Sequence, residues 1–365
     1  MKIVKAEVSV VEIPFPFDAS GVGIMPTPWR SLEFALVRLE DELGNVGWGE
    51  AFGYFVVDAS KAITERLILP RLIGATVTDI PAWNRRLQLD LHLFGRYGAT
   101  VFAISGVDIA LWDLAAKRQG VPLHQLLSDG DRPARTTGLR SYASLMRYGD
   151  TALAVAACEQ ALGRGYTAIK LHETDMATIS ACREAIGPDV PLSVDVNCQW
   201  GSRFFTEHRK ELAGLGVAWV EEPVFPPEDF SALAALRSPG IPLAAGENWC
   251  TAEQFAQSGG AVDIWQPSVT KVGGISEYLR ILAMATAQGH PVVPHCPYFG
   301  PGYFATLHLA AAHPAMDDIE ILYTDPEAWL CDVEGLRDGG ALSVPTGPGL
   351  GFEPDPDVME KYRRA

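Results

Sequence analysis

Three acidic residues, Asp195, Glu221 and Glu247, each close a short apolar run, and they recur at a constant interval of 26 residues, 195 to 221 to 247. That interval is about one strand, one helix and their connections. Carboxylates repeated this way meet at one mouth of a parallel barrel, where active sites are built. Converged there, three negative charges repel one another unless a cation lies between them. Hard oxygen donors favour Mg²⁺, or Mn²⁺, over zinc. A single carboxylate at a strand end can simply cap the helix that follows, but three at equal spacing point to a shared ligand. Asn197, two residues beyond Asp195, is expected to support that ligand set.

Lys170 and His172 end an earlier apolar run. Residues two apart on a strand share a face, so an ammonium and an imidazole would stand on one side of the mouth. Taken alone, Lys170 could be a solvated strand-end lysine. His295 follows the run Pro291-Val-Val-Pro294 and reads equally as a site residue or a packing histidine, and Glu320 carries the same ambiguity.

The elements that must position these groups fall into two parts. Residues 3–13 and 32–39 are β-branched and alternating, and Asp41-Glu-Leu-Gly44 supplies a turn into a third strand. Residues 14–30 between them are rich in Pro and Gly and form a long loop. From 59 to 127 the pattern is helical; apolar residues recur at three and four through 103–115, and Gly120 with Pro122 ends that helix. Strands followed by helices describe an α+β capping domain over residues 1–130. Eight short apolar runs then alternate with helices, at 139–145, 168–172, 192–197, 218–222, 243–247, 263–267, 291–294 and 319–322. This rhythm predicts an α/β parallel barrel over 131–342. The tail, 343–365, is expected to pack back onto the cap.

With 45 Asp and Glu against 29 Lys and Arg, the net charge of −16 opposes phosphate backbones, and nucleic acid is an unexpected partner. The six cysteines show no paired spacing, as in a reducing compartment. The first residues are charged where a signal peptide would be apolar, and no run approaches the length of a membrane span, so a cytoplasmic chain without a membrane partner is expected.

These residues resemble the mandelate racemase and muconate lactonizing enzyme family of the enolase superfamily. The resemblance runs through Gly47-Trp-Gly-Glu50, Ser105-Gly-Val-Asp-Ile-Ala-Leu-Trp-Asp113, Val194-Asp-Val-Asn197, Glu221-Glu-Pro223 and Gly246-Glu-Asn-Trp249. It continues in Gln266-Pro267, Gly273-Gly274, Pro294-His295 and Pro348-Gly-Leu-Gly351, and so covers essentially the whole chain. It implies a capped, modified TIM barrel, (β/α)7β. Asp195, Glu221 and Glu247 would bind Mg²⁺, which holds the substrate carboxylate and stabilises the enediolate formed by proton loss. Lys170 matches the first lysine of a Lys-x-Lys pair, with His172 where the second, the usual base, would stand. His295 matches the histidine of a His–Asp dyad, and Glu320 the acid that hydrogen-bonds the substrate carboxylate. A glutamate as third ligand is similar to the mandelate racemase subgroup.

Two departures bear on the reaction. An imidazole at 172 has an unperturbed pKa near ~6.5, so it needs less depression than a lysine to act as base at neutral pH. Ser268 occupies the dyad's Asp position: it can accept a hydrogen bond from an imidazole but brings no charge, so His295 is expected to be a weaker base and an easier proton donor. One base and one acid suit dehydration better than racemisation. The preferred reading is therefore dehydration of a sugar acid, an aldonate or aldarate, to a 2-keto-3-deoxy acid, with Arg30 in the cap loop and Ser268 on the substrate side. A racemase, epimerase or lactone cycloisomerase stays open, as does a metal-binding relative that has lost catalysis. The partner is a small carboxylate, and a symmetric homo-oligomer is expected from the resemblance.

Overall fold

A computed structural model of the chain describes residues 1–17, 29–128, 133–316 and 318–364. The first sheet is an antiparallel meander of β1 (Ile3–Pro14), β2 (Ser31–Asp41) and β3 (Val46–Ala51). Asp41 makes the β2–β3 turn by accepting the backbone N–H groups of Leu43 and Asn45, each at 2.9 Å, while Gly44 takes the left-handed conformation that the turn requires.

The helix Ala99–Gln119 lies across this sheet, and Gly120 ends it with φ of 68°. It is long and apolar enough by length and composition to cross a membrane, yet most of it is buried inside the fold as the cap's core helix. Its seat on β3 is a backbone-to-backbone approach: a Cβ on Gly106 would stand 2.7 Å from Ala51 N, and one on Gly49 would overlap the Gly106 carbonyl. This explains why Gly47-x-Gly49 and Ser105-Gly106 occur together. We expect Gly106→Ala to force helix and strand apart at a cost of about 1–3 kcal/mol, read as a lower urea midpoint; an unchanged midpoint would show the contact to be loose.

The barrel strands are β4 (Leu139–Ser144), β5 (Ile169–Leu171), β6 (Leu192–Asp195), β7 (Val220–Glu221), β8 (Leu243–Ala245), β9 (Ile264–Trp265) and β10 (Ile319–Leu322). β4 to β9 pair in parallel in chain order and β10 returns to pair with β4. The strand expected at 291–294 is replaced by single bridges from Val292 to Trp265 and Met316. Pro291 and Pro294 carry no N–H to extend a ladder, so the position is filled without a regular strand. Helices follow the strands as expected, but among the described residues no α-helix follows β10 before the tail: a 3₁₀ turn at Glu334–Leu336 and a short hairpin, β11 (Arg337–Asp338) and β12 (Ala341–Leu342), take its place, with β12 against β4.

The tail crosses to the cap. Leu350 N–H donates to Asp113 at 2.7 Å, Gly349 O accepts from Leu123 N–H at 2.8 Å, and Lys117 pairs with Glu353 at 2.7 Å. Glu50 at the end of β3 performs a similar join, accepting the Gly302 N–H at 2.9 Å inside the protein. Burial pushes the Glu50 carboxyl up to about 8, partly offset by that bond. A raised carboxyl favours the fold fully below the unfolded pKa, near ~4.5, and loses that contribution as pH rises through about 8. Glu50→Gln keeps an acceptor for Gly302 without the ionisation. Its melting temperature relative to wild type should therefore climb between pH 5 and pH 9; a constant difference would contradict this.

Candidate active site

The C-terminal ends of the barrel strands bring Asp195, Glu221 and Glu247 together. One carboxylate oxygen from each lies within 4.8 Å of the others, and all three residues are buried. Register does this: Asp195 and Glu221 are paired neighbours on β6 and β7, and Glu247 lies two residues past β8. The chain turns sharply after each strand, with Asn197, Cys198 and Glu222 at positive φ. The turn folds the Asn197 N–H back onto Asp195 Oδ1 at 3.0 Å, so Asn197 supports this carboxylate through its backbone.

Lys170, almost fully buried, holds its ammonium 2.8 Å from Glu320 and 3.3 Å from both Asp195 and Glu221. Burial alone would depress the lysine, but the charges of Glu221 and Glu320 outweigh it and hold the ammonium well above its ordinary range. Among the carboxylates, burial and then the Asp195 charge push Glu221 far up. Burial also works against Asp195 and Glu247, yet Lys170 and His172 hold the first below the usual range, and His295 and Lys271 hold the second well below it. This uneven partition is what mutual repulsion imposes on three converging carboxylates. Such a set, all oxygen and mutually close, fits a hard divalent cation that would offset the repulsion.

His172, two residues from Lys170 as the alternation predicts, donates from Nδ1 to the Leu145 carbonyl at 2.5 Å and sets Nε2 3.3 Å from Asp195. His295 places Nε2 2.7 Å from Glu247. Its Nδ1, however, has no hydrogen-bond partner among the described residues. The expected Ser268–His295 bond is not made. Ser268 is fully buried and turns instead to Tyr298 Oη at 3.1 Å and Thr270 Oγ1 at 3.3 Å, away from the mouth, so the structure does not bring it to the substrate side. Tyr298 offers a hydroxyl that competes better for the serine than an imidazole edge whose position is fixed by Glu247.

Glu320 accepts from Ser144 Oγ at 2.8 Å and from the Cys296 N–H at 2.9 Å. Burial raises its carboxyl, but Lys170 and His295 outweigh that and keep it below the usual range. Arg30 is exposed and lies outside the lining of the cavity, and residues 18–28 of the expected cap loop lie outside the described residues.

A cavity of about 350 Å³ opens over this constellation, and His172, Asn197, Glu247, His295 and Glu320 all line it. Several participants escaped the reading of the sequence. Gln266 donates to Glu221 at 2.7 Å, and Trp219 Nε1 donates to the same carboxylate at 3.2 Å. Asn248 donates to Glu222 at 2.8 Å and to Glu247 at 2.9 Å while accepting from Lys271 at 3.1 Å. Burial, and next the Glu247 charge, push Glu222 up to about 8. Gln266 was signalled by its place one residue past β9, the position the acidic ligands occupy near neighbouring strand ends.

The sequence profile described as the mandelate racemase/muconate lactonizing enzyme N-terminal domain matches residues 8–128, and the profile described as enolase C-terminal domain-like matches 153–358. The chain belongs to the mandelate racemase/muconate lactonizing enzyme family. As a member of that family within the enolase superfamily, it is 32% identical to the D-galactarolactone cycloisomerase of Agrobacterium fabrum, over 90% of each chain. It is 31% identical to the arabinonate dehydratase of Saccharolobus solfataricus, over 91% of each. The crystal structure of the 3,6-anhydro-D-galactonate cycloisomerase from Zobellia galactanivorans superposes with a TM-score of 0.85 at 26% identity, covering 100% of both chains. The family relatives thus include sugar-acid dehydratases and cycloisomerases, and superfamily members bind Mg²⁺.

Proposed function

We propose that this chain is a Mg²⁺-dependent acid-sugar dehydratase that removes the proton beside a carboxylate and expels hydroxide from the next carbon, giving a 2-keto-3-deoxy acid. The observation that carries the reading is the pairing of two imidazoles, His172 and His295, on one cavity that Glu247 and Glu320 also line, with Asp195, Glu221 and Lys170 buried in contact with these lining groups. Mg²⁺ on the three carboxylates would supply charge to the substrate carboxylate and to the enediolate.

The protein's own groups divide the remaining work. Lys170, held as an ammonium, offers its charge to the substrate carboxylate. His172 donates Nδ1–H to Leu145 and so keeps Nε2 as the basic atom that takes the α-proton. His295 delivers a proton to the departing hydroxide; it lines the same cavity, with Nε2 2.7 Å from Glu247 and no partner at Nδ1 among the described residues. Glu320 must carry a proton to hydrogen-bond a carboxylate, and Lys170 opposes this while it sits 2.8 Å away. Movement of the ammonium onto the substrate would remove that opposition. A cytoplasmic catabolic role and a homo-oligomeric assembly belong to the same proposal.

Cycloisomerisation uses the same base and is the second reading, favoured by two of the relatives named above. Mass spectrometry of products from a panel of acid sugars with Mg²⁺ in D₂O separates the readings. Loss of water with a keto-acid signal and deuterium at the carbon that lost hydroxide supports dehydration, an isomeric product supports cycloisomerisation, and neither product nor deuterium incorporation with any acid overturns both.

A further inference from the structure

The cavity has two unlike halves. Every carboxylate, lysine and histidine of the lining comes from the barrel, whereas the cap contributes an aromatic roof that includes Trp29, Phe52, Tyr54, Phe55 and Phe102. Four of these rings form a continuous array: Trp29 to Tyr54 at 4.5 Å, Tyr54 to Phe52 at 5.3 Å, and Phe52 to Phe102 at 5.1 Å between centroids. The two polar atoms in the array are already engaged. Trp29 Nε1 donates to the Ser31 carbonyl at 2.7 Å, and Tyr54 Oη donates to the Pro297 carbonyl. The roof therefore presents ring surface and no free side-chain donor.

Phe55 strengthens the point. Its ring is 40% exposed at the cavity, and its backbone takes φ of 59°, a conformation costly for a bulky residue. Glu33 holds it there, accepting the Phe55 N–H at 2.6 Å. A strained backbone that sets an apolar ring at a mouth is a positioned ring. Lys271 lies 5.1 Å over Phe52 but is bonded to Asn248, and its charge acts on Glu247 and Glu222 of the barrel.

We infer that the substrate is a monocarboxylic acid sugar whose distal end is uncharged and poor in oxygen, a deoxyaldonate, and not an aldarate; this rests on the function proposed above. One carboxylate is served by the barrel floor. A second would sit against the negative faces of aromatic rings, where the described roof residues supply no cation and no free side-chain donor, and would lose its hydration unrepaid. A C–H face or methyl group gains by the same contact.

The test is calorimetric titration of the Mg²⁺-loaded protein with matched aldonates, 6-deoxyaldonates and aldarates of the galacto, gluco and manno series, with α-deuterium exchange in D₂O read on the same samples. In whichever series binds, the aldarate should bind at least about tenfold more weakly than the aldonate, and the 6-deoxyaldonate as tightly as the aldonate or more so. Phe55→Arg, which adds the missing cation, should narrow or reverse that ratio by about tenfold. An aldarate that binds as tightly as its aldonate in wild type, or exchange with the aldarate alone, overturns this inference and leaves the proposed chemistry standing. Acids that bind in the expected order without any exchange or keto-acid formation overturn the proposed chemistry. Absence of binding by every acid overturns both.

Discussion

His172→Ala will lower α-proton exchange by about 10²–10⁴-fold, the usual contribution of a positioned general base, while substrate affinity stays close to wild type. The expectation follows from how the two strand-mates on β5 are held. Lys170 is enclosed by Glu221, Glu320 and Asp195, and their charges keep it protonated despite burial. A group that holds its proton so firmly cannot take another. His172 has one nitrogen anchored on Leu145 O and the other turned into the cavity side, 3.3 Å from Asp195 Oδ2. Lys170→Ala should behave differently, weakening carboxylate binding together with turnover. Exchange is measured as α-deuterium in recovered acid, and affinity by calorimetry. If His172→Ala exchanges at the wild-type rate, or if both variants lose affinity alone, the roles are misassigned.

That the convergence of the three carboxylates could be read from sequence reflects simple geometry. Strand ends repeat at the period of a strand–helix unit, and parallel pairing returns each end to the same mouth. Alternation also placed Lys170 and His172 together. What escaped the reading depends on contacts between distant segments. The Ser268 hydroxyl was expected on His295, but Tyr298, thirty positions downstream, folds beneath it and takes the bond. Asn248 adjoins Glu247, and alternation would turn it away from its neighbour; the turn after β8 instead brings its amide to Glu222, Glu247 and Lys271. The aromatic roof draws on Trp29, on Phe52 to Phe55 and on Phe102, which have no shared period because they lie on three different pieces of the cap. The strand expected at 291–294 was overruled by the two prolines that bound it.

Glu221 carries the second large effect, and its sign differs with and without metal. Burial and the Asp195 charge push this carboxyl far above its ordinary range, against the pull of Lys170. A carboxyl raised on folding contributes stability fully below its unfolded pKa, near ~4.5, and that contribution is lost as pH rises towards the folded value. Replacing it with glutamine keeps an oxygen for Gln266, Trp219 and Lys170, which lie at 2.7, 3.2 and 3.3 Å, and removes the ionisation. Without divalent metal, Glu221→Gln should therefore melt higher than wild type, with the gap widening from pH 5 to pH 8. With Mg²⁺ the order should reverse. A ligand at a hundred times its dissociation constant adds about 2.7 kcal/mol to the protein that binds it. The variant should forfeit most of that gain, because its affinity falls by at least about a hundredfold, the upper end of what loss of even an outer partner costs. Glu221→Ala, which offers no oxygen at all, should lose both metal binding and turnover. Melting curves at two pH values, each with and without 10 mM Mg²⁺, contain the whole test. A Glu221→Gln protein that gains as much from Mg²⁺ as wild type would remove Glu221 from the ligand set. One that melts lower than wild type in chelator would show that its charge is already balanced by Lys170, so that the repulsion inferred between the three carboxylates is not what a cation at this mouth relieves.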